Sequence, residues 1–111
     1  MGKTSTMQVP LNSEFADDPE FAEILAPFIK ELPKRVSELI AALSAADMDS
    51  LAALAHRLKG AAGGYGFPSI TEAARKVEHS SKAKSEIETL RGEVHSLVEL
   101  CQRASSASAC G

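Results

Sequence analysis

Apolar residues recur at steps of three and four along most of this chain, and this spacing constrains the fold more than any other feature. The longest series runs from Phe21 to Leu43 and continues through Pro27 and Pro33. Each series forms an apolar stripe along one face of a helix, because three or four residues make one helical turn. A proline inside a helix costs about 3 kcal/mol and bends it. The unbroken register nevertheless predicts one long bent helix that begins near Pro19.

Three further stripes follow the first one. Asp47 separates the first two helices, and Ser69, directly after Pro68, is the predicted cap of the third. The fourth helix is predicted from about Lys84 to Ala104. The inward positions predicted from the four stripes are Phe21, Ile24, Leu25, Phe28, Leu32, Val36, Leu39, Ile40, Leu43, Leu51, Leu54, Leu58, Ala61, Ala62, Tyr65, Ile70, Ala73, Ala74, Val77, Ile87, Leu90, Val94, Leu97, Val98 and Cys101. Short connections between four such helices predict an all-α fold, an antiparallel four-helix bundle with up-and-down topology.

The composition agrees with a small helical domain. The chain has 111 residues, of which 44% are hydrophobic and 24% charged, as in ordinary globular proteins. Aromatic residues are only 5%, and Ala and Leu are plentiful while Val and Ile are few, so helix formers outnumber strand formers. Residues 1–16 are polar and lack periodicity, which predicts a flexible or irregular N-terminal segment. The bundle is predicted over 17–104, and 105–111 is predicted to be a flexible tail. A four-helix bundle can close its own core, so we expect a monomer.

The charge and the cysteines exclude several kinds of partner. A net charge of -3 argues against nucleic-acid binding, which needs a basic surface. No apolar run approaches the roughly 18 residues of a membrane span, so we expect no membrane association and a cytoplasmic location. Cys101 and Cys110 are expected to be free thiols. Metal-binding Cys and His spacings do not occur, so we expect no metal site.

The second predicted helix carries an unusual exposed histidine. His56 lies opposite the apolar stripe, and Lys59, Gly60 and Gly63 follow it on the same face. A glycine inside a helix costs about 1 kcal/mol relative to alanine. We therefore interpret these glycines as clearance that lets a large partner approach the ring. An imidazole with a free ring nitrogen is a nucleophile near neutral pH, and a neighbouring lysine can stabilise an anion on it, which suits a phosphoryl group.

The run AHRLKGAAGGYGF, residues 55–67, resembles the histidine-containing phosphotransfer (HPt) domains of bacterial and eukaryotic phosphorelays. Their motif is His-x-x-Lys-Gly followed by a further glycine ten residues after the histidine. His56, Lys59, Gly60 and Gly66 match this motif, and the helical pattern from about residue 18 to 104 matches the bundle. The resemblance implies that His56 accepts a phosphoryl group from a receiver-domain aspartyl phosphate and passes it to another receiver. Gly66 would then add to the clearance for docking.

The resemblance also implies how the chemistry is divided between the partners. The partners would be response-regulator receiver domains and a sensor or hybrid histidine kinase. The receiver would supply Mg²⁺, so this chain would be a carrier that binds no cofactor, ATP or metal, either alone or within a larger hybrid kinase. In the similar phosphotransfer domain of chemotaxis kinases, an acid on the next helix hydrogen-bonds the histidine. Glu78 is the matching position here, where many family members have Gln.

Three alternatives compete with this interpretation. One is the phosphoacceptor domain of a chemotaxis-type kinase, and another is a helical scaffold whose binding ignores His56. The third is the dimerisation helix of a histidine kinase, which usually shows His-Glu and a nearby Pro, where this chain has Arg57 and Gly60. His79 and His95 lack neighbouring glycines and are expected to be surface residues.

Overall fold

The chain folds into four α-helices. The structure is a computed structural model that describes residues 11–15 and 17–110, with side chains as far as residue 104. The helices are α1 (Pro19–Ser44), α2 (Met48–Gly64), α3 (Pro68–Lys82) and α4 (Ile87–Cys110). The described residues contain no β-strand. The predicted all-α four-helix bundle is therefore confirmed.

Helix α1 runs without interruption through both of its prolines. The Asp18 side chain caps its N-terminus by accepting hydrogen bonds from the backbone N–H groups of Glu20 and Phe21, which otherwise lack an intrahelical acceptor. Pro27 and Pro33 are both exposed on the outer side of the helix. The prediction of one long helix beginning at Pro19 is confirmed.

Neighbouring helices in the bundle run antiparallel. Helix α1 packs against α2 and α4, and α3 packs against the same two helices. Phe28, near the start of α1, stacks on Tyr65 just beyond the end of α2, with 4.6 Å between the ring centroids. The largest fully buried apolar side chains of the core are Phe67, Leu32, Leu39, Leu51, Leu58, Ile70, Leu90, Leu97, Val77 and Val94. This core holds the helices in fixed register, so that the side chains of α2 and α3 meet at defined positions.

Three predicted inward positions are wrong. Ile24 is 53% exposed and Ile40 is 46% exposed, although both fit the apolar spacing of α1. Ile87, at the first turn of α4, is also exposed. Each helix packs against two neighbouring helices. The surface that these neighbours bury is narrower than the apolar face that steps of three and four residues produce.

Each connection between helices contains a residue in the left-handed conformation, two positions after the last helical residue. Ala46, Gly66 and Lys84 have φ of 54°, 83° and 55°. At each one the backbone N–H groups bond back to two carbonyls of the preceding helix, as in the Schellman motif; Asp47 N–H, for example, donates to Ala42 O at 2.9 Å. These caps satisfy the last carbonyl groups of α1, α2 and α3.

Three helix boundaries differ from the prediction: the start of α3 and both ends of α4. Ser69 does not cap α3: the N-cap residue is Phe67, with no side-chain hydrogen bond, and Pro68 is the first helical residue. Proline lacks an N–H group, so it leaves one fewer donor to satisfy at this position. Helix α4 starts at Ile87 and extends past the predicted end at Ala104 to Cys110.

Residues 11–15, which we call the N-terminal strap, have no regular secondary structure but are attached to the bundle. Leu11 packs against the core from a partly buried position. Hydrogen bonds join the strap to the bundle: Leu11 N–H donates to Arg103 O, Ser13 Oγ–H to Tyr65 O, and Glu14 N–H to Gly66 O. The segment is therefore irregular, as predicted, but its described part belongs to the folded domain. The flexibility predicted for residues 1–10 lies outside the described residues.

Burial makes the one fully described thiol unreactive. Cys101 is a free cysteine in the core, and burial raises its pKa to about 12. The thiolate, which is the reactive form, is therefore scarce at neutral pH. The Cys110 side chain lies outside the described residues. None of the helices described is long and apolar enough to cross a membrane.

Candidate functional site

His56 lies in the middle of α2 and faces outward. Its side chain is 64% exposed, while its neighbours Ala55 and Leu58 on the same helix are buried in the core. Gly60, one turn further along α2, is exposed, and a Cβ atom placed there would meet no heavy atom within 4 Å. The imidazole therefore stands on an open surface with its outer edge free for a partner.

Glu78 on α3 lies behind the imidazole. Its side chain is only 9% exposed, yet it has three nitrogen neighbours, which together with it form what we call the Glu78 cluster. Glu78 Oε2 lies 3.0 Å from His56 Nδ1 and 2.9 Å from Lys82 Nζ, and Oε1 lies 2.8 Å from Lys59 Nζ. Both carboxylate oxygens are therefore engaged by donors from α2 and α3.

These contacts lower the pKa of the Glu78 carboxyl from 4.5 to about 2. The hydrogen bond from Lys59 is the largest cause, followed by that from Lys82; burial opposes them, and His56 and the charge of Lys59 add smaller contributions. At neutral pH the group is a carboxylate, which can only accept hydrogen bonds. The contact with His56 therefore requires a hydrogen on Nδ1, and in the neutral ring it leaves the lone pair on Nε2.

A second contact between α2 and α3 fixes their separation at the site. The Thr71 hydroxyl donates to the backbone carbonyl of Lys59 at 3.2 Å. A Cβ at Gly63 would lie 3.4 Å from Thr71 Oγ1, which is ordinary van der Waals contact. Gly63 thus lies beside α3 and is exposed, and a methyl group there would make only ordinary contact with Thr71.

Gly66 does not belong to the open surface around His56, contrary to the prediction. It is buried, has a φ of 83°, and lies beneath the N-terminal strap. A Cβ there would come within 2.6 Å of Ser13 Oγ and 2.8 Å of Phe15 Cδ2. The left-handed turn favours glycine here, and the strap leaves no room for a Cβ atom, so Gly66 serves the packing of the strap.

The sequence interpretation missed Lys82. This residue is one turn after Glu78 on α3, and a step of four residues places two side chains on the same helix face. The four-residue spacing could have indicated a contact between Lys82 and Glu78. Its relevance to His56 depends on Glu78 facing α2, which the sequence alone does not show. Lys59, predicted to stabilise a phosphoryl group, is instead paired with Glu78 here.

The remaining predicted residues are not members of the Glu78 cluster. His79 and His95 are exposed on α3 and α4, as expected for surface residues. Tyr65 and Phe67 pack with Phe28 in the core. The described part of the chain contains no group of three or more His, Cys, Asp or Glu side chains arranged to hold a metal ion.

The fold and the site define a helical bundle that presents one histidine to solvent while a buried carboxylate holds its inner nitrogen. The family model described as "Hpt domain" matches residues 23–107, and this range includes the whole Glu78 cluster. The chain therefore belongs to the Hpt domain family, whose members carry out histidine phosphotransfer in two-component phosphorelays. Searches of curated proteins and of solved structures found no match.

Proposed function

We propose that His56 accepts a phosphoryl group from the aspartyl phosphate of a receiver domain and passes it to the aspartate of another receiver. The observation that carries this proposal is the hydrogen bond between His56 Nδ1 and the buried Glu78 carboxylate, on a ring whose other edge faces open solvent. This arrangement directs the lone pair of Nε2 outward. Family membership supports the same role, because the matched range contains both residues.

The transfer requires a nucleophile whose inner nitrogen stays protonated. The Nε2 lone pair forms the N–P bond while the aspartyl O–P bond breaks, and the receiver carboxylate leaves with that electron pair. Nδ1 keeps its hydrogen, so the ring becomes positively charged, and the Glu78 carboxylate 3.0 Å away stabilises this charge. Lys59, the α2 cation that contacts Glu78, could exchange this contact for one with the phosphoryl oxygens.

The chain contributes position rather than a complete catalytic centre. In this proposal the receiver brings the acidic pocket with its Mg²⁺, which neutralises charge on the transferring phosphoryl. The bundle contributes the oriented imidazole and a surface cleared by Gly60, which has no neighbouring heavy atom to obstruct a docked domain. In this proposal the protein is a monomeric carrier of phosphoryl groups, and its partners are a histidine kinase and receiver domains.

Transfer of labelled phosphate from a phosphorylated receiver domain, in the presence of Mg²⁺, tests this proposal. We expect wild-type protein to acquire acid-labile, base-stable label and His56→Gln to acquire none while keeping its helical circular dichroism spectrum. His95→Gln is the matched control, since His95 is also an exposed histidine but lies on α4. Equal labelling of wild type and His56→Gln would refute the assignment. Absence of label from a broad panel of receivers would favour a scaffold instead.

A further inference from the structure

Two lysines compete with His56 for one carboxylate. Glu78 carries one negative charge, and both Lys59 and Lys82 place an ammonium group within 3.0 Å of it. The two contacts are not equivalent. Lys59 binds Oε1, whereas Lys82 binds Oε2, the same oxygen that accepts the hydrogen bond from the imidazole.

In the unphosphorylated protein, groups other than Lys82 also hold the carboxylate in place. Glu78 is buried against the bundle, and Lys59 anchors its other oxygen at 2.8 Å from a side chain that is itself only 31% exposed. The effect of Lys82 is therefore mainly electrostatic. An ammonium group 2.9 Å from Oε2 withdraws negative potential from that oxygen and makes it a weaker acceptor for the Nδ1–H group.

Other charged side chains on α1, α2 and α3 line a different groove or pair with each other, and do not contact Glu78. A groove between α1 and α2, with a cavity volume of about 180 Å³, lies apart from the Glu78 cluster. The charged residues that line this groove are Glu31, Lys34, Arg35, Glu38 and Arg57. On α3, the exposed pair formed by Glu72 and Arg75 is satisfied internally. Among the described contacts of Glu78, Lys82 is thus the charge that shares an oxygen with His56.

We propose that Lys82 is a positioning residue that weakens the His56–Glu78 hydrogen bond and so lowers the stability of the phosphorylated histidine. This inference rests on the proposed phosphotransfer function. Forming the N–P bond at Nε2 leaves Nδ1–H in place and puts positive charge on the ring, which Glu78 stabilises. By drawing on the same oxygen, Lys82 reduces that stabilisation. The phosphoryl group can then leave again for a receiver aspartate, as a carrier requires.

The hydrogen bond can be measured in the unphosphorylated protein, without any receiver. We expect Lys82→Met to move the Nδ1–H proton resonance of His56 downfield, which indicates a stronger hydrogen bond, while the ring keeps hydrogen on Nδ1. Lys82→Arg, which keeps the charge, should leave the resonance near its wild-type position. Lys76→Met is the matched control, because Lys76 is an exposed lysine on the same helix that makes no contact with Glu78. An unchanged or upfield resonance in Lys82→Met would overturn the proposal.

The proposal also predicts how labelled phosphate is distributed at equilibrium between His56 and a receiver domain. A change in folding stability alone would not shift this distribution. With one receiver domain, we expect Lys82→Met to shift the distribution of labelled phosphate toward phosphohistidine by about two- to fivefold. The shift is modest because the Lys82 side chain is 66% exposed and solvent screens its charge. Wild-type distribution, or a shift toward the receiver, would overturn the proposal. If the wild-type protein took no label on His56 while Lys82→Met still moved the Nδ1–H resonance downfield, phosphotransfer would be refuted. The competition of Lys82 with His56 for Glu78 Oε2 would be upheld.

Discussion

At the residue scale, Glu78 links the stability of the fold to pH. Its carboxyl has a pKa of about 2 in the folded protein against an ordinary value of 4.5, so the ionised form favours the folded state. This stabilisation is complete above the unfolded value and disappears as the pH falls through the folded value. We expect Glu78→Gln to lower the unfolding free energy by about 1 to 2 kcal/mol at pH 7, and the difference from wild type to shrink toward zero near pH 2. Urea unfolding across this range measures it.

Glu72→Gln is the matched control for that measurement. Glu72 lies on the same helix and pairs with Arg75, which also lowers the pKa of its carboxyl, but both side chains are exposed. Solvent screens such a pair, so its removal should change stability little. A pH-independent difference between wild type and Glu78→Gln would contradict the assignment of Glu78 as a charge held by the cluster.

A substitution at Gly60 should change the access of a receiver domain to His56 and the stability of the bundle in opposite directions. We expect Gly60→Leu to slow phosphoryl transfer to His56 at least tenfold, because the new side chain would occupy the open surface one turn away. It should also raise the unfolding free energy by up to about 1 kcal/mol, since leucine is the better helix former. Gly92→Leu is the control: Gly92 is an exposed glycine within α4 with no heavy atom near its Cβ position. Normal transfer by Gly60→Leu, compared with Gly92→Leu in parallel, would refute the clearance argument.

The sequence predicted the exposure of His56 better than it predicted the surroundings of this residue. The position of His56 on the outer face follows from helical periodicity alone, and Gly60 follows from spacing. The contact with Glu78 was expected only through the family resemblance, and Lys82 was missed. Both depend on which face of α3 meets α2, a packing relation between distant segments that periodicity within each segment does not contain.

At the scale of the elements, the helix caps determine where conformational strain lies. Ala46 has a φ of 54°, which is unfavourable for any residue with a Cβ atom, while Gly66 occupies the corresponding position after α2. We expect Ala46→Gly to raise the unfolding free energy by up to about 1 kcal/mol. The reverse change, Gly66→Ala, should lower it by more than about 2 kcal/mol, because strain adds to the collision with Ser13 Oγ at 2.6 Å. Chemical denaturation of both variants checks these signs.

Equal destabilisation by the two changes would show that backbone conformation contributes little at these connections. Their contrast also explains what the sequence could predict. Glycine marks the left-handed residue after α2, but Ala46 and Lys84 occupy the same conformation without any such mark. Tertiary packing of the helices on either side of each connection imposes the conformation there, and local propensity does not.

The stripe pattern predicted the number and approximate extent of the helices because each helix must bury one face. It overestimated burial at the flanks, where Ile24 and Ile40 are exposed. Those positions lie at the edges of the stripe of α1, beyond the strip that α2 and α4 cover. The sequence shows the spacing of apolar residues but not the width of the surface that neighbouring helices remove from solvent.

At the scale of the whole molecule, the N-terminal strap covers the turn between α2 and α3 and bonds to α4. Ser13 is buried; its hydroxyl donates to Tyr65 O at 2.6 Å and accepts a hydrogen bond from Phe15 N–H at 3.0 Å. The Phe15 ring packs on Phe21 of α1, with 4.7 Å between centroids. The sequence placed this segment outside the bundle, because its two apolar residues, Leu11 and Phe15, form no periodic pattern. Backbone hydrogen bonds, which attach the strap, cannot be predicted from amino-acid composition.

The strap and the phosphotransfer site should be separable by experiment. The family match begins at residue 23, after the strap, and includes every member of the Glu78 cluster. We therefore expect a chain that begins at Asp17 to lose about 2 kcal/mol of unfolding free energy, from lost hydrogen bonds and burial, yet to accept label on His56 at the wild-type rate.

The truncation also removes residues 1–10, so the point variant Ser13→Ala in the full chain is the control that assigns the loss to the strap. It removes the hydroxyl that bridges Tyr65 and Phe15 and should cost about 1 kcal/mol, again without slowing transfer. Thermal unfolding and labelling of the same preparations measure both quantities. If truncation instead abolished transfer and left the unfolding free energy unchanged, the strap would act in receiver docking and its contacts with Gly66 would contribute nothing to the stability of the bundle.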